Sequence, residues 1–287
     1  MGGLANWVMT KRMNAIILVA VCSIIPMMFW LGAAALGLVV LRKGVKDGIH
    51  VLAWGGLPAL VLWVIQSDAT AFMVLIDTFI LAYVLREKVS WAWVMLSASV
   101  LAVLSSVIQP LLMADLLDMV ADLIQQILSN SEEEGVVIPS KEEIIQQAVI
   151  AMSVVQAYIA VAALFLARRW QARLYNPGGL KKEFHEFRLP LSVALMLGAM
   201  VLAGESLGGG FEVLSRAAVP ALVIPGLALV HGILALKKIG MVGLVLFYLI
   251  GILVLSVYFA NILIFLAVVD SFVDIRGRMQ SKPTDIN

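Results

Sequence analysis

The chain has 287 residues, of which 62% are hydrophobic and 14% are charged, and its formal net charge is +1. Soluble domains contain about 45–50% apolar and about 25% charged residues, so the charged side chains here are too few to cover a soluble fold. The near-neutral charge argues against a nucleic-acid-binding protein, because basic residues occur only in short segments between apolar runs. A single cysteine, Cys22, leaves no internal disulfide and no cysteine-based metal site.

Apolar runs follow one another along the chain, and most are about as long as one bilayer crossing, which takes about 20 residues. They occupy residues 13–41, 49–65, 69–85, 91–113, 143–167, 189–203, 217–236 and 240–269. The sequence therefore predicts an all-α fold, a polytopic helical membrane bundle that forms one integral membrane domain over residues 1–287.

The first and last runs are longer than one crossing, so each is either one long tilted helix or a pair of short helices. Pro26 lies near the middle of the first run and favours a break there. If both runs cross twice, every Lys and Arg except Lys141 and Arg216 lies inside the cell, which is 18 of the 20. The positive-inside rule then predicts 8–10 transmembrane helices with both termini inside. Eight spans with one or two broken or re-entrant ones fit the charge pattern equally.

Between the apolar runs, residues 113–142 predict an amphipathic helix on the outer leaflet and, after it, an acidic loop. Asp115, Asp118 and Asp122 recur on one face of this helix at spacings of three and four residues. Carboxylates in this pattern are typical either of a solvated helix face or of a divalent-cation site with oxygen ligands. The tight DDxxD cluster of prenyl-transferring enzymes is absent, and we predict no metal site.

Ser140 and Glu143 form a capping-box pattern that begins the next helix. No helix breaker follows before residues 176–179, so this helix is expected to be about 50 Å long and to project beyond the membrane on the inner side. Its end begins a basic inside loop at residues 168–188. A candidate contact for lipid phosphates or for a partner protein lies there, formed by Arg168, Arg169, Trp170 and Arg173.

The sequence contains no HExxH, GxSxG or Walker A motif, and its three histidines are scattered. We therefore predict neither an enzyme nor a bound cofactor. Polar residues inside apolar runs remain as candidates, because burying them in a membrane is costly. Asp77 is the principal one: its carboxyl could couple to protons, bind a cationic group of a substrate, or form a structural hydrogen bond with a neighbouring helix. Further candidates for a substrate-binding or proton-coupling role are Gln109, Gln156, Glu205 and His231.

Several segments resemble the YybS-like family, which comprises multi-pass bacterial inner-membrane proteins without established catalytic residues. The most distinctive is the segment 166–179, which ends in Asn176-Pro177-Gly178-Gly179. Residues 41–44, 183–184, 187–190 and 269–276 are also similar to that family. The resemblance implies a helical multi-pass fold in the bacterial inner membrane. The family resembles, more distantly, the substrate-binding S components of energy-coupling-factor vitamin transporters and the cell-shape protein MreD.

Two functions stay open at this point. The first is a transport-related component that binds a small solute within its helix bundle. The second is a non-catalytic scaffold that docks other membrane or cytoplasmic proteins through its basic inside loops. In both cases the lipid bilayer is an expected partner, and nucleic acid is not. An enclosed polar pocket near Asp77 would favour the first function, and a solid apolar bundle with exposed grooves would favour the second.

Overall fold

The computed structural model describes residues 2–130, 139–256 and 258–280. These residues are almost entirely helical and contain no β-strand. The helices are α1 (Gly2–Thr10), α2 (Arg12–Ile24), α3 (Phe29–Lys43), α4 (Val45–Gly55), α5 (Leu57–Gln66), α6 (Thr70–Lys88), α7 (Trp91–Leu112), α8 (Ala114–Asn130), α9 (Lys141–Tyr175), α10 (Gly179–Glu186), α11 (Leu191–Leu207), α12 (Glu212–Leu236), α13 (Met241–Ile250), α14 (Tyr258–Val273) and α15 (Ile275–Gln280). A 3₁₀ turn, Gly209–Phe211, precedes α12, and a π-helical stretch, Gly251–Leu255, follows α13. The expected acidic loop lies almost wholly outside the described residues.

Three described helices are each long and apolar enough to cross a bilayer: α7, α9, and α12 together with the 3₁₀ turn before it. Two bent pairs, α4 with α5 and α10 with α11, raise this number to five if each pair is one span. The pairs bend by 42° and 67°. This count of three to five is lower than the predicted eight to ten, because the other apolar runs form helices that are short or that carry several charged residues at one end.

The first long apolar run is a pair of short helices. α2 ends just before Pro26, and α3 begins at Phe29. The two helices fold back on each other, since a Cβ added to Gly32 would lie 3.1 Å from the Cβ of Cys22. A small residue at position 32 allows the two backbones to approach this closely.

The last long apolar run also reverses its direction. The rings of Phe247 in α13 and Phe259 in α14 lie 5.3 Å apart, whereas a continuous helix would separate these two positions by about 18 Å. The reversal follows the π-helical stretch, and Ser256 beside it has a positive φ of 44°. Both long runs are therefore helical hairpins.

α3 occupies the centre of the bundle, and every residue from Gly32 to Leu41 is buried. It packs against α6 and α9, and Gly37 marks the contact with both. A Cβ added there would lie 3.2 Å from the Cβ of Ala167 and 3.3 Å from Cγ2 of Thr78. Small residues along α3 thus allow α6 and α9 to lie close together.

α9 is the unbroken 35-residue helix that the sequence predicts, running from Lys141 to Tyr175. Both bonds of its capping box are present. The amide of Glu143 donates to Oγ of Ser140 over 3.2 Å, and the amide of Ser140 donates to Oε2 of Glu143 over 2.9 Å. At about 1.5 Å per residue the helix is about 50 Å long, which exceeds a hydrocarbon core of about 30 Å.

Arginines of three different helices, α3, α6 and α9, meet at one end of the bundle, which we call the basic end. Arg42, Arg86 and Arg168 line a common cleft of about 610 Å³ there. Nη1 of Arg86 donates to the carbonyl of Leu41 over 2.9 Å, which satisfies an acceptor at the end of α3. The guanidinium of Arg42 lies 4.1 Å from the ring centre of Tyr175, at the end of α9.

The opposite end, which we call the acidic end, carries the amphipathic helix α8. The ammonium of Lys141 pairs with Asp118 at 3.4 Å and with Asp122 at 2.7 Å. The hydroxyl of Ser67 donates to Asp115 over 3.2 Å. The three aspartates therefore contact a lysine and a hydroxyl of the chain itself, as expected of a solvated helix face. Apolar helices separate the arginines of the basic end from the aspartates of the acidic end.

Candidate functional site

Asp77 lies near the middle of α6, and its side chain faces the interior of the bundle. Only 4% of the residue is exposed. Its neighbour Thr78 is fully buried against α3 at Gly37. The carboxyl is thus enclosed at the place where α6 packs between α3, α7 and α9.

Gln156 of α9 connects Asp77 to α7. Its Nε2 donates to Oδ2 of Asp77 over 2.8 Å and to Oγ of Ser105 over 3.2 Å. Its Oε1 accepts a hydrogen bond from Nε2 of Gln109 over 2.9 Å. Each of these four side chains is at most 4% exposed. We call Asp77, Gln156, Gln109 and Ser105 the polar cluster; it joins three otherwise apolar helices.

Three of the residues singled out from the sequence, Asp77, Gln109 and Gln156, therefore lie together. Ser105 was not among the candidates. It precedes Gln109 by one helical turn, and the spacing of four residues places both on one face of α7. That spacing is the signal that would have added Ser105.

The polar cluster keeps unused capacity to accept hydrogen bonds. In the described part of the chain, Oε1 of Gln109 and Oγ1 of Thr78 are buried and have no hydrogen-bond partner. A buried polar atom left unpaired costs about 1–3 kcal/mol. Asp77 takes part in no ion pair within residues 2–130, 139–256 and 258–280. A proton on Asp77 or a ligand with an ammonium or hydroxyl group would supply donors to this cluster.

His231 and Glu205 do not belong to the polar cluster. A ring nitrogen of His231 is hydrogen-bonded to the hydroxyl of Tyr248 over 2.8 Å, and its ring meets that of Phe184 edge to face at 5.4 Å. These partners come from α13 and α10, near the basic end. Glu205 is exposed near the end of α11, one helical turn before the 3₁₀ turn. These two candidates therefore lie apart from Asp77, each near a different end of the bundle.

The four residues of the expected lipid or partner contact separate into two groups. Arg168 forms an ion pair with Glu183 and donates to Gln171 over 3.0 Å, so its guanidinium is already engaged. Trp170, which we expected in the headgroup layer, is buried with 3% exposure, because that face of α9 packs into the core. Arg169 and Arg173 lie on the other face of α9 and are exposed.

A second buried polar group lies where α14 meets α15. Nη2 of Arg276 donates to Oδ2 of Asp270 over 2.8 Å and to the carbonyl of Phe187 over 2.7 Å. Its Nη1 donates to the carbonyl of His185 over 2.6 Å. Arg276 is 6% exposed. Both of its terminal nitrogens donate to acceptors of the chain itself, so this group locks α15 to the end of α10 and to the residue that follows it.

No group of three or more His, Cys, Asp or Glu side chains able to hold a metal ion occurs among the described residues. No family model matches the chain, and no curated protein or solved structure matches it either.

Proposed function

We propose that this chain is a multi-pass membrane protein whose helix bundle binds a proton or a small solute at Asp77, as a transport-related component. The observation that carries the proposal is a carboxyl that is buried among apolar helices and hydrogen-bonded to a neutral amide. An ionised carboxylate is costly in hydrocarbon without a cationic partner, and acidic residues inside membrane helices usually mark ion or substrate pathways.

The amide partners suit a carboxyl that gains and loses a proton. The NH₂ group of Gln156 donates to the carboxylate, and after rotation of the amide its oxygen accepts from the protonated carboxyl. Gln109 can rotate in the same way, so the Gln156–Gln109 hydrogen bond is re-formed with its donor and acceptor exchanged. Oε1 of Gln109, which is unpartnered in the described chain, becomes the acceptor in that second arrangement.

The proposed topology has ten membrane-inserted segments, but only six of them cross the bilayer completely, which is fewer than the eight to ten transmembrane helices expected from the sequence. Six crossings are formed by α4 with α5, α6, α7, α9, α11 and α12, and the remaining four segments are the helices of the two hairpins. α2 has 13 residues and rises only about 20 Å, less than the hydrocarbon core of about 30 Å. The tip of its hairpin is apolar, with Met27 exposed by 78%. Each hairpin therefore enters from the inner side and returns to it.

The orientation follows from the two ends of the bundle. The basic end faces the cytoplasm, in keeping with the excess of Lys and Arg in cytoplasmic loops, and the acidic end with α8 faces outward. Both termini are then inside. A location in the bacterial inner membrane and the resemblance to the YybS-like family belong to the same proposal, and both rest on the segment around Asn176–Gly179 and on the apolar runs.

The function is tested on the purified protein reconstituted in liposomes that enclose a pH-sensitive dye, with native mass spectrometry of the same preparation. The wild type is expected to carry protons or to retain a small molecule. Asp77→Asn is expected to fold and to lose that property, since an amide cannot ionise. Glu205→Gln is the matched control, because it neutralises an exposed carboxyl outside the polar cluster. Equal proton flux and equal retained mass in wild type and Asp77→Asn would contradict the proposal.

A scaffold remains the second candidate function, and the clefts at the basic end favour it, because they are surface grooves and Asp77 lines none of them. Three of them, with volumes of about 600, 540 and 610 Å³, lie around α10 and the end of α9. Chemical cross-linking in intact cells, followed by identification of proteins joined to Lys181 or Lys182, distinguishes this function from the first one. A single reproducible partner whose loss leaves proton flux unchanged would favour the scaffold.

A further inference from the structure

We propose that the cleft between the end of α9 and α10 is a binding site for one anionic phospholipid of the inner leaflet. The cleft has a volume of about 540 Å³ and is lined by Phe165, Arg169, Ala172, Arg173, Pro177, Gly178, Leu180, Lys181 and Phe184. Pockets that bind small molecules have volumes of about 300–1,000 Å³, so this cleft is large enough for a headgroup and the first part of an acyl chain. We call it the α9–α10 cleft. The inference rests on the membrane topology proposed above.

The cations of the cleft point to an anionic ligand. Arg169, Arg173 and Lys181 line it, and no carboxylate does. None of the three forms an ion pair within the described ranges of the chain. The neighbouring Arg168 differs, because Glu183 neutralises it. Three unpaired cations on one cleft are complementary to a phosphate, which guanidinium groups bind with two parallel hydrogen bonds.

The first turn of α10 adds to the positive electrostatic potential of the cleft. Gly178 precedes it with a positive φ of 86°, a conformation that glycine adopts readily, and turns the chain so that α10 begins at the wall of the cleft. The N-terminus of a helix carries a partial positive charge, which favours an anion nearby. The Asn176–Gly179 turn thus places a helix end beside the three cations.

The apolar wall identifies the ligand as a lipid rather than a free phosphate. Phe165 lies one helical turn before Arg169, on the same face of α9 and farther into the membrane in the proposed topology. Its ring stacks on Trp91 at 4.1 Å and meets Phe184 edge to face at 6.3 Å. The cations of the cleft lie nearer the cytoplasm, and the aromatic rings lie nearer the hydrocarbon. A phospholipid has the same order, with its phosphate outside and its acyl chain inside. Anionic lipids are also enriched in the cytoplasmic leaflet.

The test uses the full chain in nanodiscs made either of phosphatidylcholine alone or of phosphatidylcholine with one quarter phosphatidylglycerol. Native mass spectrometry after release from the nanodiscs measures which lipid stays bound. The wild type is expected to retain phosphatidylglycerol in preference to phosphatidylcholine. The double variant R169Q/R173Q is expected to lose that preference by about tenfold or more, because each cation contributes to binding anionic lipid. The double variant K43Q/K46Q removes the same charge from exposed residues outside the cleft and is expected to keep the preference.

Each other outcome overturns the inference in a distinguishable way. Equal retention in both double variants would show that the whole basic end attracts anionic lipid and that the α9–α10 cleft does not select one. If the wild type enters nanodiscs but shows no preference between the two lipids, the lipid site is overturned and the topology still stands. The same conclusion follows if an acidic protein, and not a lipid, stays bound in the α9–α10 cleft. A chain that remains soluble without detergent and does not enter nanodiscs would overturn the topology as well.

Discussion

Gly226 of α12 packs directly on the backbone of Leu263 in α14. A Cβ added to Gly226 would lie 2.3 Å from the carbonyl oxygen of Leu263, far inside van der Waals contact. The contact fixes how closely the last hairpin approaches the rest of the bundle. Position 226 therefore requires a glycine, because only a residue without a Cβ allows this distance.

Gly226→Ala is therefore expected to destabilise the protein by about 1–3 kcal/mol, the usual cost of overpacking a tight contact. The matched control is Gly198→Ala in α11, where a Cβ would meet nothing within 4 Å. That variant is expected to be neutral or slightly stabilising, since alanine has the higher helix propensity. Thermal unfolding in detergent measures both. A smaller loss of stability in Gly226→Ala than in Gly198→Ala would show that the α12–α14 contact is not tight.

The hydrogen bond between Asp77 and Gln156 predicts a contrast between two substitutions at position 77. Asp77→Asn keeps an oxygen that accepts from Nε2 of Gln156, so its free energy of unfolding is expected to stay within about 1 kcal/mol of wild type. Asp77→Leu removes one of the two acceptors of that amide, leaving only Oγ of Ser105, and is expected to cost about 1–3 kcal/mol.

A double-mutant cycle isolates this hydrogen bond from the other effects of each substitution. Asp77→Leu combined with Gln156→Leu removes both partners, so the double variant is expected to lose less stability than the sum of the two single variants. Denaturant unfolding of all four proteins gives the coupling energy. If the stability losses of the two single variants add up to that of the double variant, the two side chains do not interact in the folded protein.

The buried ion pair of Arg276 and Asp270 predicts a large effect of removing one partner. Arg276→Ala leaves the Asp270 carboxylate buried and unpaired, and is expected to destabilise the protein by about 3–5 kcal/mol. Lys237→Ala removes an exposed cation near the same end and is expected to change stability by less than about 0.5 kcal/mol. Limited proteolysis should cleave the Arg276 variant first near α14 and α15. If the Arg276 variant resists protease as well as the wild type does, Arg276 does not lock the two segments together.

The proposed topology predicts the side from which engineered cysteines react, in a Cys22→Ser background. Gln126→Cys on α8 is expected to react with a membrane-impermeant thiol reagent only from outside, and Lys182→Cys on α10 only from inside. Met27→Cys at the tip of the first hairpin is expected to react from neither side, because the tip lies in hydrocarbon. Reaction of Met27→Cys from outside would show that this hairpin crosses the membrane completely, and a reversed pattern at the other two sites would invert the topology.

The sequence alone determined the helical class, the positions of most helices and the full length of α9. These properties are local. An apolar run, the capping box at Ser140 and the turn at Asn176–Gly179 each determine the structure of the residues next to them in the chain. The sequence also identified Asp77 as a residue that must face the interior, because the cost of exposing a carboxyl to hydrocarbon does not depend on which helix lies opposite.

Only the tertiary structure decided which residues meet. Gln156 is a partner of Asp77 and His231 is not, because close packing at Gly37 brings α6 and α9 together while α12 places His231 near the basic end. The burial of Trp170 and the freedom of Arg169 follow from the rotation of α9 about its axis, which is set by its neighbours. Helix pairing and rotation depend on contacts between residues far apart in the chain, and no local pattern specifies them.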